Sequence, residues 1–368
     1  MTPDLPPPQP TVELHGDLHA EADSEGAADL RFRLAPEISA APELTVHGIG
    51  DLTTELGSTE TTVSWVAAWG EAETPVGVLA VGRMPIPEWG MGMIANPGGC
   101  LDCLSDLTVD RVSLNTELAR HTIGFALDRG VDDTSTATLT LGRLPTVLAR
   151  ARGIQAGRTV WTYGTWSSLR TRAEDDLSIG MIDGWLRFEQ GDLSLETEAV
   201  FIRGSILEPV PDVPGVALPA LGVQQSGMAV RAGWSGLEFE VGAASGDEAD
   251  GRGVDGVGQL DPPSDVLWTN LTLSENYTID RIQWRRGIGA ITDAYWVRPS
   301  IKVGVGDHLE LTGWTTYSAP LVRTDQVLST ELGLRADWEL WSGLELRADG
   351  AWLVNQATLL EGSIAWVF

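Results

Sequence analysis

The sequence predicts an all-β protein, a transmembrane antiparallel up-and-down β-barrel of about 18 strands with long extracellular loops, 16 being the next count. Three observations predict it. Apolar and polar residues alternate with a period of two through most of the 368 residues, the pattern of strands with one greasy face. No run approaches the ~18 consecutive apolar residues of a membrane helix, so only a closed sheet could cross a bilayer. The final segment, Thr358 to Phe368, puts Leu360, Gly362, Ile364, Trp366 and Phe368 on one face and ends on an aromatic ring.

Taken in order, the proline-rich residues 1–10 stand apart from a barrel that occupies 11–368. Thr11 to Asp23 alternates Val12, Leu14, Leu18 and Ala20 with Glu13, His15, Asp17 and His19, so one face suits lipid and the other water. Asp29 to Ile38 repeats the scheme and completes a hairpin. Glu43 to Leu52, Thr61 to Ala72 and Val76 to Met84 continue it. Pro85 to Leu107 carries Pro85, Pro87, Pro97 and several glycines, which predicts a large loop.

Thr108 to Leu118, His121 to Asp128, Thr134 to Gly142, Arg158 to Thr171, Met181 to Glu189 and Leu193 to Gly204 read as further hairpin strands. Pro145 to Ala156 is the one place that suits a helical turn. Gln225 to Trp234 and Leu237 to Ser245 share the Ser235-Gly236 corner, and Gly246 to Thr292 is the longest irregular stretch. Ala294 to Val305, His308 to Ser318, Val327 to Leu340, Leu344 to Val354 and Thr358 to Phe368 complete the set. Short connections such as Gly306-Asp307 alternate with longer ones, as periplasmic turns alternate with outer loops. An even strand number returns both ends to the periplasmic side.

Charge narrows the function classes. With 52 acidic and 24 basic residues, of which only Lys302 is a lysine, the net charge of −28 repels nucleic acid and excludes it as a partner. Charges recur on one face of nearly every strand, which a water-filled lumen accepts. No G-x-S-x-G, H-E-x-x-H or P-loop sequence is present, so neither an enzyme nor a cofactor is predicted. No positively charged apolar leader precedes the start, and the expectation is that a signal peptide has been removed.

The blocks GRMPIPEWGMGMIANPGG (Gly82 to Gly99) and DLTVDRV (Asp106 to Val112), with LGSTE near Leu56, WGEAETPVG from Trp69 and YTIDRIQWRRGIGAITDAYW from Tyr277, resemble an uncharacterised family of outer-membrane β-barrel proteins from myxobacteria and related deltaproteobacteria. The resemblance implies fold and a bacterial outer-membrane location, and no reaction. The C-terminal strand likewise resembles the assembly signal of outer-membrane barrels, implying the barrel-assembly machinery as a partner beside outer-membrane lipid and lipopolysaccharide.

Individual motifs are weighed next. Gly90, Gly92 and Ala95 imitate a dinucleotide fingerprint, but Pro87 and Pro97 deny it a helix, so the glycines serve a tight loop that folds inward on Trp89 and Met91. Cys100 and Cys103, a departure from the resembled family, could be half a zinc site, a redox pair or a loop disulfide, and the disulfide leads. His15 and His19 lie roughly 13 Å apart along a strand, too far to share a metal, and face the lumen. Asp247, Glu248, Asp250, Asp255 and Asp261 miss the spacing of a calcium loop.

The candidate pore or constriction residues are Arg83, Glu88, Trp89, Asp110 and Arg111, together with Asp280, Arg281, Arg285 and Arg286. The last arginines form either a lumen ladder or a loop held by its own Asp–Arg pairs. Trp185, Trp234, Trp338, Trp341, Trp352 and Trp366 lie near strand ends and predict an interfacial belt. The expected function is a porin-like passive channel for small polar or cationic solutes. The alternative is a structural or adhesive barrel plugged by loops 85–107 and 246–292.

Overall fold

The computed structural model describes residues 10–23, 28–55, 61–87, 89–95, 108–119, 121–130, 133–143, 160–174, 176–207, 219–248, 266–284, 289–322, 329–341, 344–354 and 357–367. Five strands precede the first long connection: β1 (Thr11–Asp23), β2 (Ala28–Ala41), β3 (Leu44–Glu55), β4 (Thr61–Thr74) and β5 (Gly77–Pro85). β6 (Thr108–Leu118), β7 (His121–Arg129) and β8 (Ser135–Arg143) follow. The next five are β9 (Val160–Arg172), β10 (Leu177–Gln190), β11 (Leu193–Ile206), β12 (Leu221–Trp234) and β13 (Leu237–Ala244). After the two-residue β14 (Leu267–Trp268) come β15 (Ala294–Val305), β16 (Leu309–Pro320), β17 (Ser329–Trp341), β18 (Leu344–Leu353) and β19 (Ala357–Val367).

Each wall strand pairs antiparallel with the next, β13 passing to β15. β19 then pairs back onto β1, Asp17 opposite Val367 and Asp23 opposite Glu361, so eighteen strands close into a ring. β13 is short. β14 takes up the edge of β12 beyond it, running parallel with Leu267 opposite Gly222 and Trp268 opposite Val223.

The period-two pattern resolves into two environments. Outward faces expose large apolar side chains such as Val63, Phe125, Leu127, Phe201 and Leu334, which in water would be a severe cost and in lipid is the stable arrangement. Inward faces carry the charges. Several are settled by Arg–Asp pairs across directly registered positions, Arg33 with Asp51, Arg111 with Asp128 and Arg335 with Asp349.

The connections sort by end. Turns at 42–43, 75–76, 191–192, 235–236 and 306–308 share one rim, and the connections 86–107, 207–220 and 245–293 share the other. The segment 144–159, where a helical turn was expected, is a long connection on the short-turn rim and lies outside the described residues. Outward aromatics gather near both rims: Trp161, Trp234 and Trp338 toward the short turns, Trp65 and Trp352 toward the long loops. That is the double girdle of an interfacial belt. Trp185 is a correction to it, for it points inward and donates to Glu196 Oε1 at 2.9 Å. Its strand neighbours Asp183 and Arg187 share its parity, and charge belongs on the inner face. The side chains of Trp341 and Trp366 lie outside the described residues.

The apolar core sits inside the ring. Residues 89–95, 266–284 and 289–293 turn into the lumen, where Met91, Met93, Leu271, Leu273, Ile279 and Trp284 pack against Val200, Ala229 and Trp296 of the wall. Gly90 permits the first of these segments, because its φ of +61° and the carboxylate of Glu198 beside it leave no room for a Cβ.

Candidate functional site

The inward segments are anchored by acids on the wall. Glu240 of β13 accepts from Tyr277 Oη at 2.8 Å and Trp296 Nε1 at 3.1 Å through one oxygen, and from Arg231 Nε at 2.9 Å through the other. Glu331 of β17 accepts the backbone N–H groups of Arg281 and Ile282, each at 2.9 Å. Asp349 of β18 bridges Arg281 Nη2 at 3.1 Å and Arg335 Nε at 2.7 Å. Glu198 of β11 accepts the Met91 N–H. Backbone donors that would otherwise be stranded inside the ring thus find carboxyl acceptors.

Tyr277 is held as a donor. Burial, and then the neighbouring Glu240 charge, raise its phenol well above the ordinary tyrosine value of 10.0.

Between these anchors lies a cavity of about 240 Å³ lined by Tyr277, Trp314, Arg231, Arg281, Arg298 and Arg335. It shares Arg298, Trp314 and Arg335 with a chamber of about 860 Å³ that reaches the short-turn rim beside Trp234, Lys302, His308 and Glu310. A neck therefore leads into a vestibule. Arg231, Arg281 and Arg335 are each paired with a wall carboxylate. Arg298 differs, since among the described residues it makes no salt bridge. Its guanidinium lies 5.5 Å from the centre of the Trp314 ring and reaches Thr278 O at 3.5 Å.

The residues singled out in the sequence land in different places. Arg281 is buried at the neck, and Asp280 caps the following turn by accepting Trp284 N–H at 3.1 Å. Trp89 packs edge-on against Trp166 inside the lumen at 5.9 Å. Arg111 faces inward, locked to Asp128 at 2.6 and 2.8 Å. Arg83 and Asp110 are corrections, because they pair with each other on the outward face and line no pore. Glu88, Cys100, Cys103, Arg285 and Arg286 lie outside the described residues.

Of the acidic group, Asp250, Asp255 and Asp261 lie there too, while Asp247 accepts Thr269 N–H at 2.7 Å. Among the described residues no cluster of three or more His, Cys, Asp or Glu side chains is placed to hold a metal ion. Sequence reading missed Glu240, Glu331, Arg231, Arg298 and Arg335. The available signal was their shared inward parity with Trp296 and Trp314 on neighbouring strands.

No known protein family matches the chain, and no curated protein does. Solved structures do. The crystal structure of Pseudomonas aeruginosa OccK2 (OpdF) in complex with glucuronate aligns with a TM-score of 0.60 at 14% identity, over 98% of this chain and 97% of that one. OccK8 (OprE) of the same organism gives 0.59 at 12% identity, over 98% and 97%. OprD, also from P. aeruginosa, gives 0.56 at 12%, over 98% and 94%. The fold is that of outer-membrane porins.

Proposed function

We propose that the chain is a passive channel in a bacterial outer membrane that admits small polar solutes, cations before anions, and carries out no chemical step. The observation that carries this reading is the polar neck and vestibule inside a ring whose outer face is apolar and banded by aromatics. Likeness in fold to outer-membrane porins supports it. The neck is basic at first sight. Arg231, Arg281 and Arg335 are nevertheless paired with Glu240 and Asp349, and Arg298 stands opposite Glu240 in register, so the field follows the net charge of −28.

Planar-bilayer conductance in a potassium chloride gradient tests the reading. Reversal potentials should show potassium favoured over chloride, less so as salt rises and the screening length falls from ~10 Å at 0.1 M to ~3 Å at 1 M. Arg298→Ser, which removes a neck arginine that makes no salt bridge among the described residues, should raise the cation preference further. Chloride selectivity would make Arg298 the dominant charge and overturn the sign assigned here. Absence of conductance would favour a plugged, structural barrel, a reading that the apolar contacts of residues 89–95, 266–284 and 289–293 support.

A further inference from the structure

We propose that the outward rung Arg83–Asp110–Arg129 on β5 to β7 binds the phosphate of an anionic membrane-lipid headgroup; this rests on the reading of the chain as an outer-membrane barrel. The three residues occupy directly registered positions on adjacent strands, Arg83 opposite Asp110 and Asp110 opposite Arg129. They lie next to the long-loop rim, since β5 ends at Pro85, β6 begins at Thr108 and β7 ends at Arg129. Below them, one step toward the middle of the wall, the rung is Val81, Val112 and Leu127, and below that Leu79, Leu114 and Phe125. Successive rungs on one face are roughly 7 Å apart. The surface thus changes from hydrocarbon-compatible to ionic within a single step, which sets this rung at headgroup depth.

The geometry presents donors to that layer. Asp110 engages Arg83 Nε at 2.8 Å and Nη2 at 3.0 Å, fixing the guanidinium plane while its Nη1 has no acceptor among the described residues. Arg129 gives Nη2 to Asp133 at 2.8 Å and keeps Nε and Nη1. Their side chains are 44% and 73% exposed on the outward face, whereas paired arginines such as Arg33 and Arg111 are buried within the ring. Two oriented guanidinium groups two strands apart, one on each side of Asp110, suit a headgroup phosphate, which takes charge-assisted hydrogen bonds from them. The acids beside them hold the forks in place and keep the rung from repelling divalent ions that accompany anionic headgroups.

Native mass spectrometry of the detergent-purified full chain tests this, with bis-phosphorylated lipid A, the same lipid after dephosphorylation, and inorganic phosphate as separate probes. The wild type should retain phosphorylated lipid A, and the Arg83→Gln, Arg129→Gln double variant should bind it at least about tenfold more weakly. Dephosphorylated lipid should bind both proteins at the variant's level. Heat-modifiable migration verifies that the variant barrel is intact, and Arg129→Gln alone replaces it if the pair misassembles. Equal retention by wild type and variant, or retention that ignores the phosphates, overturns the site. Inorganic phosphate binding as tightly as lipid A overturns the lipid as its source. Retention is read in micelles, so a chain that conducts without retaining lipid loses this site and keeps its channel, and one that retains lipid without conducting does the reverse.

Discussion

Tyr277 shows how much one side chain holds in this molecule. Its hydroxyl is the donor from the inward segment to Glu240, an acid that also takes Trp296 and Arg231. Tyr277→Phe keeps the ring and deletes the bond, leaving a buried carboxylate short of one donor. The loss should be about 1–3 kcal/mol of local stability, seen as faster proteolysis within residues 266–293 while the ring itself survives heating. The pH dependence follows from the raised phenol. A folded value above the ordinary 10.0 means that the stabilisation is complete below pH 10 and fades as pH climbs beyond it. Alkaline titration should therefore loosen the wild-type segment above pH 10 and leave the Phe variant's response flat in that window.

Among elements, the wall was legible and the inward segments were not. Thr108 to Leu118 was bounded correctly because outward Val112 and Leu114 alternate with inward Arg111 and Ser113, and lipid on one side with water on the other enforces that alternation. β5 was found but its parity was not, since Val78, Leu79, Ala80 and Val81 are apolar on both faces and give no sign of which way Arg83 points. β14, at two residues, is below the length at which any period exists.

The anchoring acids escaped notice for a different reason. Glu331 sits in β17, where an inward acid facing water and one clasping a buried segment look alike in the alternating sequence. Glu331→Ala should release the Arg281 and Ile282 N–H groups and let the segment fluctuate. Single-channel recordings should then show longer or larger open-state noise than the wild type, with the average heat stability of the barrel little changed.

At the scale of the whole molecule, the usual placement of apolar residues is turned over: hydrocarbon faces outward, charges line the interior, and a second apolar core is enclosed among those charges. The ring that encloses it is completed by β19 on β1, a pairing between opposite ends of the chain. Such a seam makes the wall a circle in which no strand is first. Sequence order then becomes a matter of where the circle is cut. A permuted chain in which a flexible linker of about ten residues joins position 367 to position 11, and new ends are opened at Ser235-Gly236 on the same short-turn rim, should build the same barrel with the same conductance. Failure of that chain to assemble, with the wild type assembling alongside it, would show that a particular strand must come last.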